Sequence, residues 1–317
     1  MFENYKVPAL FLTKDAVLEC YACGRTSGLV VDIGASGTTV SAVVDGWVET
    51  KAVGRSMVGG RVMDAKVLEI LQRRASLTSS SNALLPLFRL QKTVMGDVNA
   101  GKVFSGVNNS VQNVHPTYDA FMRLEMARDL KEALCRMSDT PTGENDPRYV
   151  AIPTLPYELP DGTVVDIGAE RFQVPELLCD SSSVDVDNAD LAVLGLSPNR
   201  PGALPSAQSG LPRLIADSIT RCDHDVQHTM AANIVVAGGS SGFDGLPERL
   251  KADVEVLVRA HYPTWRIKTV TPASNERALC AWLGGSILAS LGSFHELWMT
   301  KKEYNECGAV LVEKKCP

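Results

Sequence analysis

Two short turns hold the residues best suited to chemistry. "VVDIGASGTTV" (30–40) runs Val30, Val31 and Ile33 into Gly34, Ala35, Ser36 and Gly37, with Asp32 at the mouth. "NIVVAGGSSGFDG" (233–245) runs a second apolar stretch into Gly238-Gly239. An acid beside nearly bare backbone can orient a metal while exposed N–H groups hold a phosphate. Glycine is equally what a tight turn with positive φ demands. Gly34, Gly238 and Gly239 therefore serve either reading, and Asp32 as a simple turn cap serves the second. Two other spacings point toward metal chemistry and stop short of it. Cys20 and Cys23 form a CxxC on an expected helix with no second pair, and His224 and His228 lie four apart with no third ligand. No metal site is expected there.

These turns need elements to position them. "VPALFL" (7–12) reads as a buried strand, Asp15–Tyr21 as a helix ending at Gly24, and Thr38–Val44 as a strand closed by an Asp45-Gly46 turn. From Arg61 the apolar residues Val62, Met63, Val67, Leu68, Ile70 and Leu71 recur at helical intervals. Residues 75–117 are rich in Ser, Asn, Gly and Val and read as a loop insertion. A helix is expected over 118–137, with Phe121, Leu124, Met126, Ala127, Leu130 and Leu134 on its apolar side. "LPDG" (159–162) is a turn between extended runs, and 179–210 is a second loose segment, first acidic and then rich in Pro and Ser. A helix begins near Leu211, a buried strand covers 233–237, and a helix covers 245–258 with Asp244 as its N-cap and Pro247 in its first turn. Ala278 to Phe294, uncharged and containing Gly284-Gly285, reads as a buried strand-turn-helix that is short for a membrane span.

At 317 residues the chain has room for a large core and two domains. Its 45% apolar and 21% charged content is that of a globular protein. A net charge of −6 argues against a bare nucleic-acid surface and leaves basic protein partners open. The eight scattered cysteines read as free thiols of a reducing compartment. Neither a signal peptide nor a membrane association is expected, because charges interrupt the N-terminal apolar positions.

Two glycine turns facing each other across a cleft are how the actin, sugar-kinase and heat-shock ATPase superfamily holds ATP. Longer stretches narrow this. "MFENYKVPALFLTKDAVLECYACGRTSGLVVDIG" resembles the middle of an actin. "YELPDGTVVDIGAERFQVPE" is similar to the family's signature hairpin. "WLGGSILASLGSFHELWMTKKEYNECG" with the terminal "KKCP" resembles its C-terminus. Ala35 in the phosphate turn, Asp15 at a helix start, and the two insertions make the chain most like the nuclear class-four, Brg-associated-factor-like actin-related proteins. The resemblance implies an actin-like α/β fold of the ribonuclease H-like ATPase superfamily. It also implies that the first part of subdomain 1, with its phosphate turn, and all of subdomain 2 are missing. Residues 1–24 and 279–317 would form a remnant of subdomain 1. Residues 25–58 and 207–278 would form subdomain 3. Residues 59–206 would form subdomain 4, with insertions at about 75–117 and 179–206. Left without sheet partners, "VPALFL" would expose a strand edge, so the isolated chain is expected to be poorly soluble.

By the same resemblance Asp32 corresponds to the aspartate that orients water around the metal, and Gly34 to the glycine facing the phosphates. Gly238 and Gly239 correspond to the turn near the adenosine, and Phe243 to an aromatic residue against the base. Lys131 and Glu132 match the base- and ribose-contacting pair, with Arg128 a nearby basic residue. A weakened ATP site, with Mg if occupied, follows. Asp15 replaces the glutamine that positions water, Ala35 a second aspartate, and Ala278 and Leu279 a lysine and a tyrosine near the adenine, so no catalytic residue is assigned. The implied role is a nuclear scaffold of chromatin-remodelling or histone-acetyltransferase complexes. It would pair with nuclear actin and dock a motor-subunit helix through Trp282, Ile287, Leu288, Leu291 and Phe294, supported by Leu297 and Tyr304. Histones could meet Asp180, Asp185, Asp187 and Asp190. The alternatives are a cytoplasmic, cytoskeletal actin-like ATP-binding filament protein and a sugar-kinase-like enzyme; no sugar pocket is written.

Overall fold

Strand β2 (Gly28–Ile33) shows why its sequence is apolar at nearly every position: both of its faces are covered. Leu29, Val31 and Ile33 enter one core, while Val30 enters another. The computed structural model describes residues 1–77, 84–92, 104–108, 114–141, 146–181 and 210–316. Around β2 lies a six-stranded mixed sheet ordered β11 (Thr269–Val270), β10 (Ile234–Ala237), β2, β3 (Thr38–Val44) and β4 (Trp47–Val48), with β5 (Gly54–Ser56) also on β3. β10 runs parallel to β2 and β11, and the remaining pairs are antiparallel. The β3–β4 turn is the expected one, with Asp45 at φ +48° and Gly46 at φ +83°.

The larger core lies on the Leu29 face. Helix α5 (Leu211–Arg221) buries Leu211, Leu214, Ile215 and Ile219, and α7 (Leu246–Arg259) buries Leu250, Val254 and Val258, at the three- and four-residue spacing of an amphipathic helix. Between them in sequence lies α6 (His224–Ala231). The same core continues into α2 (Gly60–Leu77), α3 (Pro116–Leu134) and α4 (Glu170–Glu176). Inside it Arg249 is held by Glu176, whose oxygens accept at 2.6 and 3.0 Å, by Asp253 at 2.7 Å and by the Ser138 carbonyl at 2.9 Å. On the opposite face α1 (Asp15–Ala22) lays Ala16, Val17 and Cys20 on Val30, Val43 and Val235. Helix α9 (Cys280–Ser290) packs on α1, after the short α8 (Ser274–Arg277). Two hairpins stand apart from the main sheet: β6 (Leu90–Lys92) with β7 (Phe104–Val107), and β8 (Leu155–Glu158) with β9 (Val164–Ile167). The chain ends with α10 (Phe294–Leu297), β12 (Met299–Thr300), α11 (Lys301–Cys307) and α12 (Leu311–Lys315).

Five expectations need correction. "VPALFL" is not a buried strand: only β1 (Ala9–Leu10) pairs, half-buried, and it pairs antiparallel with β12, so that edge is partly covered. The 75–117 segment is not wholly a loop, since α2 runs to Leu77, Leu84 and Leu90 are buried, and β6 and β7 pair within it. The 118–137 helix starts at Pro116 under a His115 cap and stops at Leu134, and Phe121 is exposed rather than on its buried side. Asp244 does not cap α7; Gly245 does so in the left-handed region at φ +82°, and the Asp244 carboxylate instead meets Arg136 at 3.2 Å. Ala278–Phe294 is helical, not strand-turn-helix, because Gly284 brings two helices into contact. A Cβ there would lie 1.7 Å from the Leu18 carbonyl oxygen. The second insertion, from 182 to 209, lies outside the described residues. No helix among the described residues is long and apolar enough to cross a membrane.

Neighbouring glycines in α9 give a paired test. Gly284→Ala must push α1 and α9 apart, a cost of about 1–3 kcal/mol or more. At Gly285 an added Cβ makes ordinary contact with Leu18 at 3.7 Å, so Gly285→Ala is expected to be neutral or to stabilise by up to ~1 kcal/mol through helix propensity. Urea denaturation of the two variants checks the opposite signs.

Candidate functional site

The two glycine turns meet because their strands are neighbours. Parallel register sets Ala237 opposite Asp32, so the chain leaves both strands at the same sheet end. Gly238, at φ +88°, sits directly on Asp32: an added Cβ would lie 2.4 Å from Asp32 Oδ1 and 2.4 Å from the Ile33 carbonyl oxygen. Arg277 braces this turn, donating at 2.7 Å to the Ser241 carbonyl while its own carbonyl accepts from Gly238 N–H at 3.1 Å. The other turn receives α2. Gly60 N–H donates to the Gly34 carbonyl at 3.0 Å and Arg61 N–H to the Ala35 carbonyl at 2.8 Å. Gly59 is equally confined, with a Cβ 2.5 Å from Gly37 N.

Above these turns opens a cleft of about 1040 Å³. Ala35, Gly60, Arg61, Asp64, Phe121, Arg128, Lys131, Glu132, Arg171, Gly239, Ser240, Phe243 and Ala278 are among its lining residues. Of the sequence-derived candidates, Arg128, Lys131, Glu132, Gly239 and Phe243 line this one cleft, whereas Asp32, Gly34 and Gly238 are not among its lining residues and sit in the adjoining packed turns. Lys131 is the surprise. It is buried, with its Nζ 2.6 Å from Asp64 Oδ1 and 3.3 Å from the Gly60 carbonyl. It thus ties α3 to the start of α2 and does not form a solvated face. Glu132 does lie on such a face, accepting from Arg128 Nε at 3.0 Å. Burial outweighs the Lys131 charge at Asp64 and leaves that carboxyl above its ordinary range.

Sequence reasoning missed Asp64, Arg61 and Arg171. Arg171 lies inside the quoted signature hairpin, and its guanidinium covers the Phe172 ring at 4.9 Å. Asp64 gave only the signal of a carboxylate inside an otherwise apolar helical run. Beneath the cleft the electrostatics are acidic. Burial, with Asp15 nearby, raises Asp32 to about 6. Glu19 on α1 is 4% exposed, its Oε2 has no hydrogen-bond partner, and burial, with Asp32 and Asp15 adding, raises it to about 8. Among the described residues no cluster of His, Cys, Asp and Glu is arranged to hold a metal, the His224–His228 and Cys20–Cys23 spacings included.

A glycine-lined cleft at the ends of parallel strands, walled by two helices, has the form of a ligand crevice on an α/β scaffold. The actin family profile matches residues 1–317, and the chain belongs to the actin family. It is 38% identical over 322 residues to Actin-related protein 4 of Oryza sativa subsp. indica, covering all of this chain and 66% of that protein. Against Actin-related protein 4 of Arabidopsis thaliana it is 38% identical over 318 residues, covering 67% of that protein. It is 30% identical over 328 residues to the Schizosaccharomyces pombe protein named SWI/SNF and RSC complexes subunit arp42, covering 99% of this chain and 72% of that one. The chain thus spans about two thirds of the rice relative's length.

Two measurements probe this electrostatic arrangement. Lys131→Met leaves Asp64 buried and unpaired and is expected to cost about 3–5 kcal/mol, most of it recovered in the Lys131→Met, Asp64→Leu pair. For Glu19 the folded chain keeps a proton that the unfolded chain releases between its ordinary 4.5 and about 8. Stability therefore falls as pH rises through that window. Glu19→Gln has no such loss, so its stability relative to the parent should climb between about pH 5 and 8 and then level off. Urea midpoints across that range read both effects.

Proposed function

We propose that this chain is a nuclear actin-related scaffold subunit of chromatin-remodelling or histone-acetyltransferase complexes, with a cleft shaped for a nucleotide and no turnover of it. The observation that carries this reading is the likeness, across nearly the whole chain, to a relative named as a subunit of SWI/SNF and RSC complexes. The domain division read from the sequence is part of the proposal. In its favour, β1 from one chain end pairs with β12 from the other, away from the main sheet.

Nucleotide binding is a general property of the actin family, to which the chain belongs. At the nucleoside end Gly60 and Gly239 bring no side chain to the walls, the buried Phe243 is among the lining residues, and Glu132 is exposed with one carboxylate oxygen already accepting from Arg128. The phosphate end fits poorly. Burial, with Asp15 nearby, raises Asp32, and burial, with Asp32 and Asp15 adding, raises Glu19, so a polyanion at the Asp32 turn would meet carboxyl groups where phosphoryl transfer needs neutralising charge. Bound Mg-ATP would supply a divalent cation and a charged bridge between the walls. The chain's own groups offer Asp32 as the carboxylate to face that cation. Asp15 stands where the resemblance implies a water-orienting glutamine, and as a carboxylate it adds charge rather than a neutral positioning group.

Assembly surfaces are better provided. Trp282 and Ile287 on α9, Leu291 at its C-cap and Leu297 on α10 are exposed, Trp282 at 70%, while Leu288 is buried. Apolar groups at these intervals suit the face of an amphipathic helix, here the motor-subunit helix, with nuclear actin as the second partner. Of the acidic run proposed to meet histones, only Asp180 lies within the described residues.

Affinity purification of the tagged chain from nuclear extract, read by mass spectrometry, tests the proposal. A remodelling motor subunit and actin are expected in the eluate, both depleted by Trp282→Ala with Ile287→Ala. Inorganic phosphate release from ATP is expected at background and unchanged by Asp32→Asn. Pelleting filaments with Asp32-dependent phosphate release would overturn the scaffold reading.

A further inference from the structure

The cleft carries its own counter-ions, and one of them differs from the rest. Arg128 meets Glu132 at 3.0 Å and Glu125 at 3.5 Å, and Arg136 meets Asp244 at 3.2 Å, all of them exposed and lining the cleft. Water screens such pairs, and they open at little cost. The Lys131–Asp64 pair lines the same cleft but is buried, its side chains 5% and 10% exposed at a separation of 2.6 Å. Gly60 and Asp64 stand one helical turn apart on α2, so a single side of that helix receives the ammonium twice, through the Asp64 carboxylate and the Gly60 carbonyl at 3.3 Å. The position of Gly60 shows where this happens. A Cβ built on it would lie 2.5 Å from Ser240 Oγ, 3.3 Å from Ala35 Cα and 3.6 Å from Lys131 Nζ. Lys131 therefore brings its charge to the place where the Ala35 turn and the Gly239-Ser240 turn come together, which is where an anion spanning both turns would look for a cation.

We propose that Asp64 is a built-in competitor for the anion of any ligand in this cleft, so that the cleft selects an uncharged nucleoside over its phosphorylated form. The inference rests on the reading of the cleft as nucleotide-shaped and names the residue that sets its ligand class. A phosphate approaching Lys131 has two options. It can displace the carboxylate, which breaks a buried pair and leaves Asp64 charged and out of water. Otherwise it can share the cation with Asp64, which sets two anions side by side where solvent screens them poorly. A nucleoside brings donors, acceptors and a ring but no charge, and it enters neither contest. Replacing Asp64 by its neutral isostere keeps the shape of the wall and a carbonyl acceptor for Lys131. The ammonium is then left with an unanswered charge at the junction of the turns, and a ligand phosphate supplies what the carboxylate did. Asp64 thus acts through Lys131 as a specificity-determining residue.

Isothermal titration calorimetry of the folded full chain tests this, with adenosine, ATP and inorganic tripolyphosphate as probes and a chelator present so that no cation bridges. The parent chain is expected to bind adenosine at least as tightly as ATP. Asp64→Asn should tighten ATP and tripolyphosphate by about tenfold or more while moving adenosine by less than about threefold. The Lys131→Met, Asp64→Leu pair should lack that gain. Asp217→Asn, which removes the same charge from the Arg213 pair on α5, should not produce it either. The inference is overturned if the parent binds ATP about tenfold or more tightly than adenosine, a result that needs no variant. An Asp64→Asn chain whose affinity for ATP and tripolyphosphate matches the parent's overturns it equally. In both cases adenosine binding leaves the reading of the cleft standing, whereas adenosine binding to no chain at all overturns that reading and this inference together.

Discussion

The parallel pairing of β10 with β2 is the constraint on which the molecule rests. It works only because position 238 has no side chain, which lets the second turn lie on Asp32 and the Ile33 carbonyl. From that contact follow the shared exit of both turns, the seating of α2 on the Gly34–Gly37 turn, and the cleft above. Burial around Asp32, with Asp15 nearby, also raises its pKa.

A second layer of order comes from charges taken out of water. Arg249 with Glu176 and Asp253, and Lys131 with Asp64, join helices that the sheet alone would not orient. Such pairs add little net stability compared with apolar packing, but they are costly to break and fix one arrangement. Lys131 shows the consequence for function. A cation that the family resemblance assigns to a ligand is here paired with Asp64 and the Gly60 carbonyl while it also lines the cleft.

What the sequence disclosed depended on range. Strand β2, the Asp45-Gly46 turn, the amphipathic helices near 211 and 246 and the Gly238 turn were legible, because each is decided by neighbours within a few residues. The turns that carry Asp32, Gly34, Gly238 and Gly239 were legible for the same reason. Features decided by partners far along the chain were not. Asp64 has meaning only once α3 delivers Lys131. Cys280 meets the Glu19 carbonyl only when α9 lands on α1. The helical state of 280–290 was misread because two glycines usually mark a turn, whereas here one of them exists for a neighbouring carbonyl.

The joining of the chain's two ends has a temporal side. Glu3 accepts from Tyr304 Oη at 2.9 Å, Phe2 stacks on Tyr304 at 4.7 Å, and the Pro8 carbonyl accepts from Lys301 N–H at 3.0 Å. A ribosome releases the first of these groups long before the last, so β1 leaves the exit tunnel with its partner strand still unmade. The central sheet meets a similar delay, since β10 follows β2 by some two hundred residues. Loop closure on this scale is slow, and a nascent strand left waiting is a natural client for chaperones.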